Sequence, residues 1–186
     1  MGIPSHWMNY VASENVDQSA AKIKALGGSI VSEPMDVFDS GRMAVAKDPQ
    51  GASFGLWQAK NHHGAGVIDE PNAVCWNELA TNDTRAATTF YAGVFGWTTE
   101  AFGGDYTLFK HPAKTAGGMM AIQKEWGPMP PNWGVYFAVE DCDKMVAKAS
   151  GLGAKVVMPA KAVPTVGRFA LLSDPSGGMF YILQPA

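Results

Sequence analysis

Between Cys75 and Trp97 the hydrophobic period of the chain changes. Residues 75–79, Cys-Trp-Asn-Glu-Leu, read as a short strand with two unlike faces. After the polar break Thr81-Asn82-Asp83, the residues Ala87, Phe90, Tyr91, Val94 and Phe95 recur at helical spacing and form one apolar face. Asn82 or Asp83 is expected to cap this helix, and Gly96 to supply the left-handed residue that ends it. Strands are predicted next near 98–102, 106–110 and 119–122. The order is strand, helix, strand, strand, strand.

The same order is predicted from Trp7 to Gln58: a strand at 7–12, a helix at 16–26 closed by Gly27-Gly28, and strands at Ile30-Val31, 43–46 and 53–57. This segment recurs 126 residues later without a gap. Trp7, Tyr10, Ala12 and Asp17 return as Trp133, Tyr136, Ala138 and Asp143; Gly41-Arg42 returns as Gly167-Arg168, and Asp48-Pro49 as Asp174-Pro175. A register kept through helix and turns is a duplication. Three units of about fifty residues therefore follow one another, and the middle one is of a different kind from the outer two. The expected organisation is an unpaired half-domain at 1–60, a linker at 61–72 containing His62-His63, and a complete two-module domain at 73–186. The order resembles an alternating four-module protein without its first module.

Composition narrows the setting. A formal charge of −3 with scattered Lys and Arg leaves no electrostatic footprint for nucleic acid. No apolar run is long enough to span a membrane, and the amino terminus shows no apolar leader, so a cytoplasmic protein is expected. Cys75 and Cys142 are too few for a disulfide framework and are read as reduced, structural residues. Arg42 and Arg168, in equivalent Gly-Arg contexts, are expected to do one repeated structural job, such as pairing a carboxylate.

A tandem βαβββ unit resembles the vicinal oxygen chelate superfamily of glyoxalases, extradiol dioxygenases and bleomycin- and fosfomycin-resistance proteins. The residues that carry the resemblance are Asp83, Phe90-Tyr91, Gly96-Trp97, and the Asp48-Pro49-x-Gly51 and Asp174-Pro175-x-Gly177 turns before the last strands. It implies an α+β fold in which two modules pair to close a cupped sheet, with the substrate and any metal in the cup. Metal-dependent members place His or Gln on a first strand and Glu on a last strand. Those positions fall here on Met8, Trp76, Gly134, Gly55 and Tyr181, none a standard ligand, so no catalytic metal is expected.

Strand alternation places Trp76, Glu78, Tyr136, Met179 and Tyr181 in the cup, and Met119 is added as a cleft residue. An aromatic pocket around one carboxylate suits a small hydrophobic or aromatic ligand. Glu78 is the candidate catalytic group, as a general base or as the partner of a cationic ligand; otherwise it meets Arg168 or solvent at the rim. His6, His62, His63 and His111 read as surface groups. The leading expectation is a metal-free small-molecule binder. The alternative is a glyoxalase, lyase or dioxygenase-type enzyme using Fe, Mn, Ni or Zn. A remnant without small-molecule activity is the third. The half-domain is expected to expose apolar surface and to form a homodimer.

Overall fold

The computed structural model describes residues 4–112 and 114–186; residues 1–3 of the expected half-domain lie outside the described residues. Three βαβββ runs follow one another. The first is β1 (Tyr10–Ala12), α1 (Val16–Ala25), β2 (Ser29–Val37), β3 (Gly41–Lys47) and β4 (Ser53–Ala59). The second is β5 (Val74–Thr81), α2 (Thr84–Phe95), β6 (Thr98–Ala101), β7 (Thr107–His111) and β8 (Lys114–Ala121). A 3-10 turn at Lys124–Trp126 leads to β9 (Asn132–Ala138), α3 (Cys142–Gly151), β10 (Lys155–Val163), β11 (Gly167–Ser173) and β12 (Met179–Pro185). The fold is of the expected α+β class.

Helix ends follow the chemistry read from the chain. Asp83 caps α2 by accepting from Ala86 N–H at 2.9 Å, and Gly96 closes it at φ 70°. Asn15 and Asp141 cap α1 and α3 in the same way. Two strands exceed expectation. β2 and β10 each run through a proline, Pro34 and Pro159, because each lies at a sheet edge and is interrupted by bulges. The first strand is shorter than expected: Trp7 lies outside it, its indole against Phe137 and Phe180 at 5.2 and 6.0 Å.

The duplication extends to individual hydrogen bonds. Arg42 grips Asp17 through Nε and Nη2 at 2.8 and 2.9 Å, and Arg168 grips Asp143 likewise at 2.7 and 2.8 Å. Each arginine holds its carboxylate below the ordinary range, chiefly through these hydrogen bonds. Gln58 and Gln184 accept the first helical N–H groups, of Val16 and Cys142, at 3.0 Å. Asp48 and Asp174 each close a turn by accepting two backbone N–H groups.

The chain forms two compact units. One comprises residues 8–64 and 77–133. It holds a four-stranded sheet in the order β1-β4-β3-β2 and the strands β5-β8-β7-β6. Its core joins Val16, Ile23, Phe54 and Leu56 from the first module to Leu79, Ala87, Phe90, Tyr91 and Phe109 from the second. Leu26 reaches α2 beside Gly93, where any side chain would meet its methyl groups. The other unit comprises residues 4–7, 65–76 and 134–186, with strands in the order β10-β11-β12-β9 and a core of Val139, Cys142, Ala170, Leu172 and Ile182 under α3.

One buried polar chain crosses the larger core. The Tyr91 hydroxyl donates to Asp48 Oδ2 at 3.1 Å and accepts from Trp133 Nε1 at 2.8 Å. Burial, then the Asp48 charge, raises the Tyr91 pKa well above the ordinary tyrosine value. The protonated hydroxyl thus stabilises the fold at neutral pH, and this contribution is lost as pH rises beyond about 10, where the unfolded chain ionises. Tyr91→Phe leaves a buried carboxylate oxygen and an indole N–H without this partner. It should lower the unfolding free energy by about 1–3 kcal/mol in urea titrations at pH 7. The wild-type margin over Tyr91→Phe should shrink above pH 10; an unchanged margin at pH 11 would contradict the assignment.

Candidate functional site

The polar feature of the larger unit starts from strand register. β5 and β8 run parallel with Glu78 beside Gly118 and Leu79 beside Met119. Leu79 and Met119 are fully buried in the core, so alternation turns Glu78 and Gly118 to the opposite face. The Tyr106 hydroxyl lies where a side chain on Gly118 would project, and it donates to Glu78 Oε2 at 2.8 Å. Tyr106 ends the turn between β6 and β7. Gly103 and Gly104 take positive φ there, and Phe102 N–H donates to Tyr106 O at 3.0 Å. Glu78 is thus paired with a phenol. Arg168, one of its expected partners, is committed to Asp143.

Met119 is corrected from a cleft residue to a core residue. It lies one position beyond Gly118, and the period of two in β8 turns it under the sheet. The signal for Tyr106 was Gly117-Gly118, which opens room on the face that Met119 avoids.

The other unit carries an aromatic cluster. Tyr136 on β9 and Tyr181 on β12 are direct parallel neighbours, and their rings stack with centroids 4.2 Å apart and planes 5° apart. Phe169 on β11 stands 6.2 and 6.4 Å from these rings, with the Lys161 ammonium 5.2 Å above its own ring. Met179 shares the Tyr181 face of β12 and is 56% exposed, whereas Tyr136 is buried. Trp76 is half-buried on the part of β5 that belongs to this unit. Beside it, the Cys75 thiol points to Tyr136 O at 3.6 Å, and burial, with the charge of Asp69, pushes its pKa up to about 11. Cys142 is buried and its pKa is also raised by desolvation. Both cysteines are protonated thiols at neutral pH.

The ligand positions expected in the three modules hold Met8, Gly55, Trp76, Gly134 and Tyr181, which do not offer a divalent ion the imidazole and carboxylate donors it needs. Among the described residues no group of three or more His, Cys, Asp and Glu converges on one point. His62 instead presents its ring to Trp57 at 5.7 Å, and its carbonyl accepts Trp57 Nε1–H at 2.8 Å. The residues present do not fit the superfamily's metal. No helix among the described residues is long and apolar enough to cross a membrane.

Residues 62–182 match the Glyoxalase/Bleomycin resistance protein/Dioxygenase superfamily. The chain belongs to this superfamily. Over 189 aligned residues it is 40% identical to the Mycobacterium tuberculosis protein named "Putative glyoxylase CFP32", covering all of this chain and 72% of that one. It is 35% identical to the anthracycline biosynthesis protein DnrV of Streptomyces peucetius, covering 98% of this chain and 67% of that protein. Two solved structures share the superfamily fold. The Mn(II)-bound glyoxalase from Novosphingobium aromaticivorans aligns with TM-score 0.60 at 19% identity over 94% of this chain and 61% of its own. The 2,2',3-trihydroxybiphenyl 1,2-dioxygenase of Sphingomonas wittichii RW1 aligns with TM-score 0.62 at 13% identity over 98% and 72%.

The Glu78 arrangement yields a thermodynamic cycle. Gly118→Ala should push the Tyr106 tip aside, and Tyr106→Phe should delete the donor. Each removes the same bond to a charged group, with a loss of up to about 3 kcal/mol in denaturant titrations. Their effects should not add: the double variant should lose no more than the worse single variant. Additive losses would show that Gly118 and Tyr106 act separately.

Proposed function

We propose that this superfamily member binds a small, flat, largely apolar or aromatic molecule and does so without a catalytic metal. The observation that carries the reading is the parallel stack of Tyr136 and Tyr181 with Phe169 beside it. Tyr136 backs one face of the Tyr181 ring, and the opposite face of Tyr181 is the π surface on which a planar ligand gains dispersion and stacking energy, with the hydroxyl as a polar tip for orientation. The similarity to an anthracycline biosynthesis protein supports a fused-ring ligand. The chemistry of Met8, Gly55, Trp76, Gly134 and Tyr181 supports binding without a metal.

The second reading is an enzyme of glyoxalase, lyase or dioxygenase type. What favours it is the hydrogen bond between Glu78 and Tyr106. A carboxylate held by a phenol can accept a proton from a bound substrate while the phenol keeps it oriented. In this reading Glu78 is the base and Tyr106 its positioning residue.

A titration with dihydroxyanthraquinone, followed by quenching of tryptophan and tyrosine emission, tests the first reading. The affinity should be unchanged by EDTA and should fall about tenfold in Tyr181→Ala, the equivalent of 1.4 kcal/mol. Binding that vanishes with EDTA, or that survives Tyr181→Ala undiminished, would contradict it. Ligand consumed by the wild type and untouched by Glu78→Gln would put the enzyme first.

A further inference from the structure

In the unit that contains α3, four neighbouring strands each contribute one side chain to a row across the sheet. In the order β9-β12-β11-β10 these are Tyr136, Tyr181, Phe169 and Lys161. Tyr136 is the register partner of Tyr181 and Lys161 that of Phe169, and the rings of Phe169 and Tyr181 stand 6.4 Å apart. The alternate residues Ala170, Leu172 and Ile182 are buried with Cys142 of α3, so the row lies on the opposite face. At the β10 end, the Lys161 ammonium sits 5.2 Å from the centre of the Phe169 ring. The fold does not demand this row. The first copy keeps the register, with Met35 beside Met43 as Lys161 is beside Phe169, and Tyr10 beside Gly55 as Tyr136 is beside Tyr181. Its row is therefore Tyr10, Gly55, Met43 and Met35, and the same strands form there with no cation and a single ring. The charge on the later row is of one sign. Among the described residues of β9 to β12, the register puts two charged side chains on this face, Lys161 and Lys155, and no carboxylate. Lys161 takes part in none of the ion pairs among the described residues. The Phe169 ring steadies the ammonium through its π face, which leaves the N–H donors to a bound anion.

We propose, resting on the aromatic binding surface inferred above, that the ligand is an anionic arene, a planar molecule bearing a carboxylate or similar acid group, and that Lys161 is the residue that selects it. A ring laid on the face of Tyr181 opposite Tyr136 lies over β12. The β10 strand is two strand spacings away, roughly 10 Å, and Phe169 bridges the step with a further apolar ring. An acid group at the β10 end of the ligand therefore reaches the ammonium while the body of the molecule stays on aromatic surface. A neutral ligand leaves the ammonium to water, whereas an anionic one gains a charge-assisted hydrogen bond there. A cationic one meets Lys161 and Lys155 and is repelled.

The test compares anthraquinone-2-carboxylate with 2-(hydroxymethyl)anthraquinone, which share a ring system and differ in charge, by quenching of protein emission at neutral pH and low salt. The wild type should bind the carboxylate about fivefold more tightly, the worth of one exposed ion pair. That preference should shrink in about 0.5 M salt. Lys161→Met, which keeps an aliphatic stem over Phe169, should bring the two probes level, and Lys161→Arg should keep the preference. Tyr181→Ala should weaken both probes together. Equal binding of the two probes by the wild type, a preference that survives Lys161→Met, or one lost equally in Lys155→Met would each overturn the assignment of Lys161 and leave the aromatic surface standing. A wild type that binds neither probe would overturn the aromatic reading and the selection by Lys161 with it.

Discussion

The larger unit depends on an acceptor that has no water to turn to. Asp48 is buried, and its carboxylate is satisfied by the backbone of its own turn on one oxygen and by Tyr91 on the other. Tyr91 in turn receives the Trp133 indole N–H. A buried charge is tolerated only when its bonds are complete, so the turn before β4, the middle of α2 and the start of β9 must arrive together. The aromatic side chains around this chain, Phe54, Phe90, Phe95, Trp97 and Phe109, pack on Tyr91 or on one another. The duplicate turn at Asp174 keeps the two backbone bonds but lies in the other unit, where no tyrosine approaches its second oxygen among the described hydrogen bonds. The same turn chemistry thus serves as a local clasp in one copy and as a cross-module fastening in the other.

The modules were legible because their signals are local. Helical spacing at Ala87, Phe90, Tyr91 and Val94, a capping Asp83 and a left-handed Gly96 each describe a few neighbouring residues, and a shared register 126 residues apart needs no knowledge of packing. The repeated Gly-Arg context pointed to a carboxylate partner for Arg42 and Arg168, and the structure supplies it as Asp17 and Asp143, 25 positions earlier in each copy. Strand ends were less legible. Pro34 and Pro159 look like breaks until the strands that hold them are known to be edges.

The site was legible in part, and the reason is geometric. Alternation along β5 separates Glu78 from Leu79, and along β12 it joins Met179 to Tyr181, because a strand's period needs only its own sequence. Tyr106 was invisible because it reaches Glu78 from a turn across two strands, through space that only the absence of a side chain at Gly118 leaves open. Met119 was misplaced by the same blindness: next to a glycine pair, its face depends on the register with β5. The positions expected from the superfamily pattern to hold ligands carry tryptophan, glycine, methionine and tyrosine in this chain.

Under the proposed function, this member of a largely metal-using architecture works through aromatic surfaces instead. The most direct measurement is elemental analysis of protein purified without chelator, beside a Glu78→Ala variant prepared identically. A metal-free aromatic site predicts neither iron, manganese, nickel nor zinc in stoichiometric amount in either preparation. One equivalent of any of these metals in the wild type, falling in the variant, would contradict it and make Glu78 a ligand.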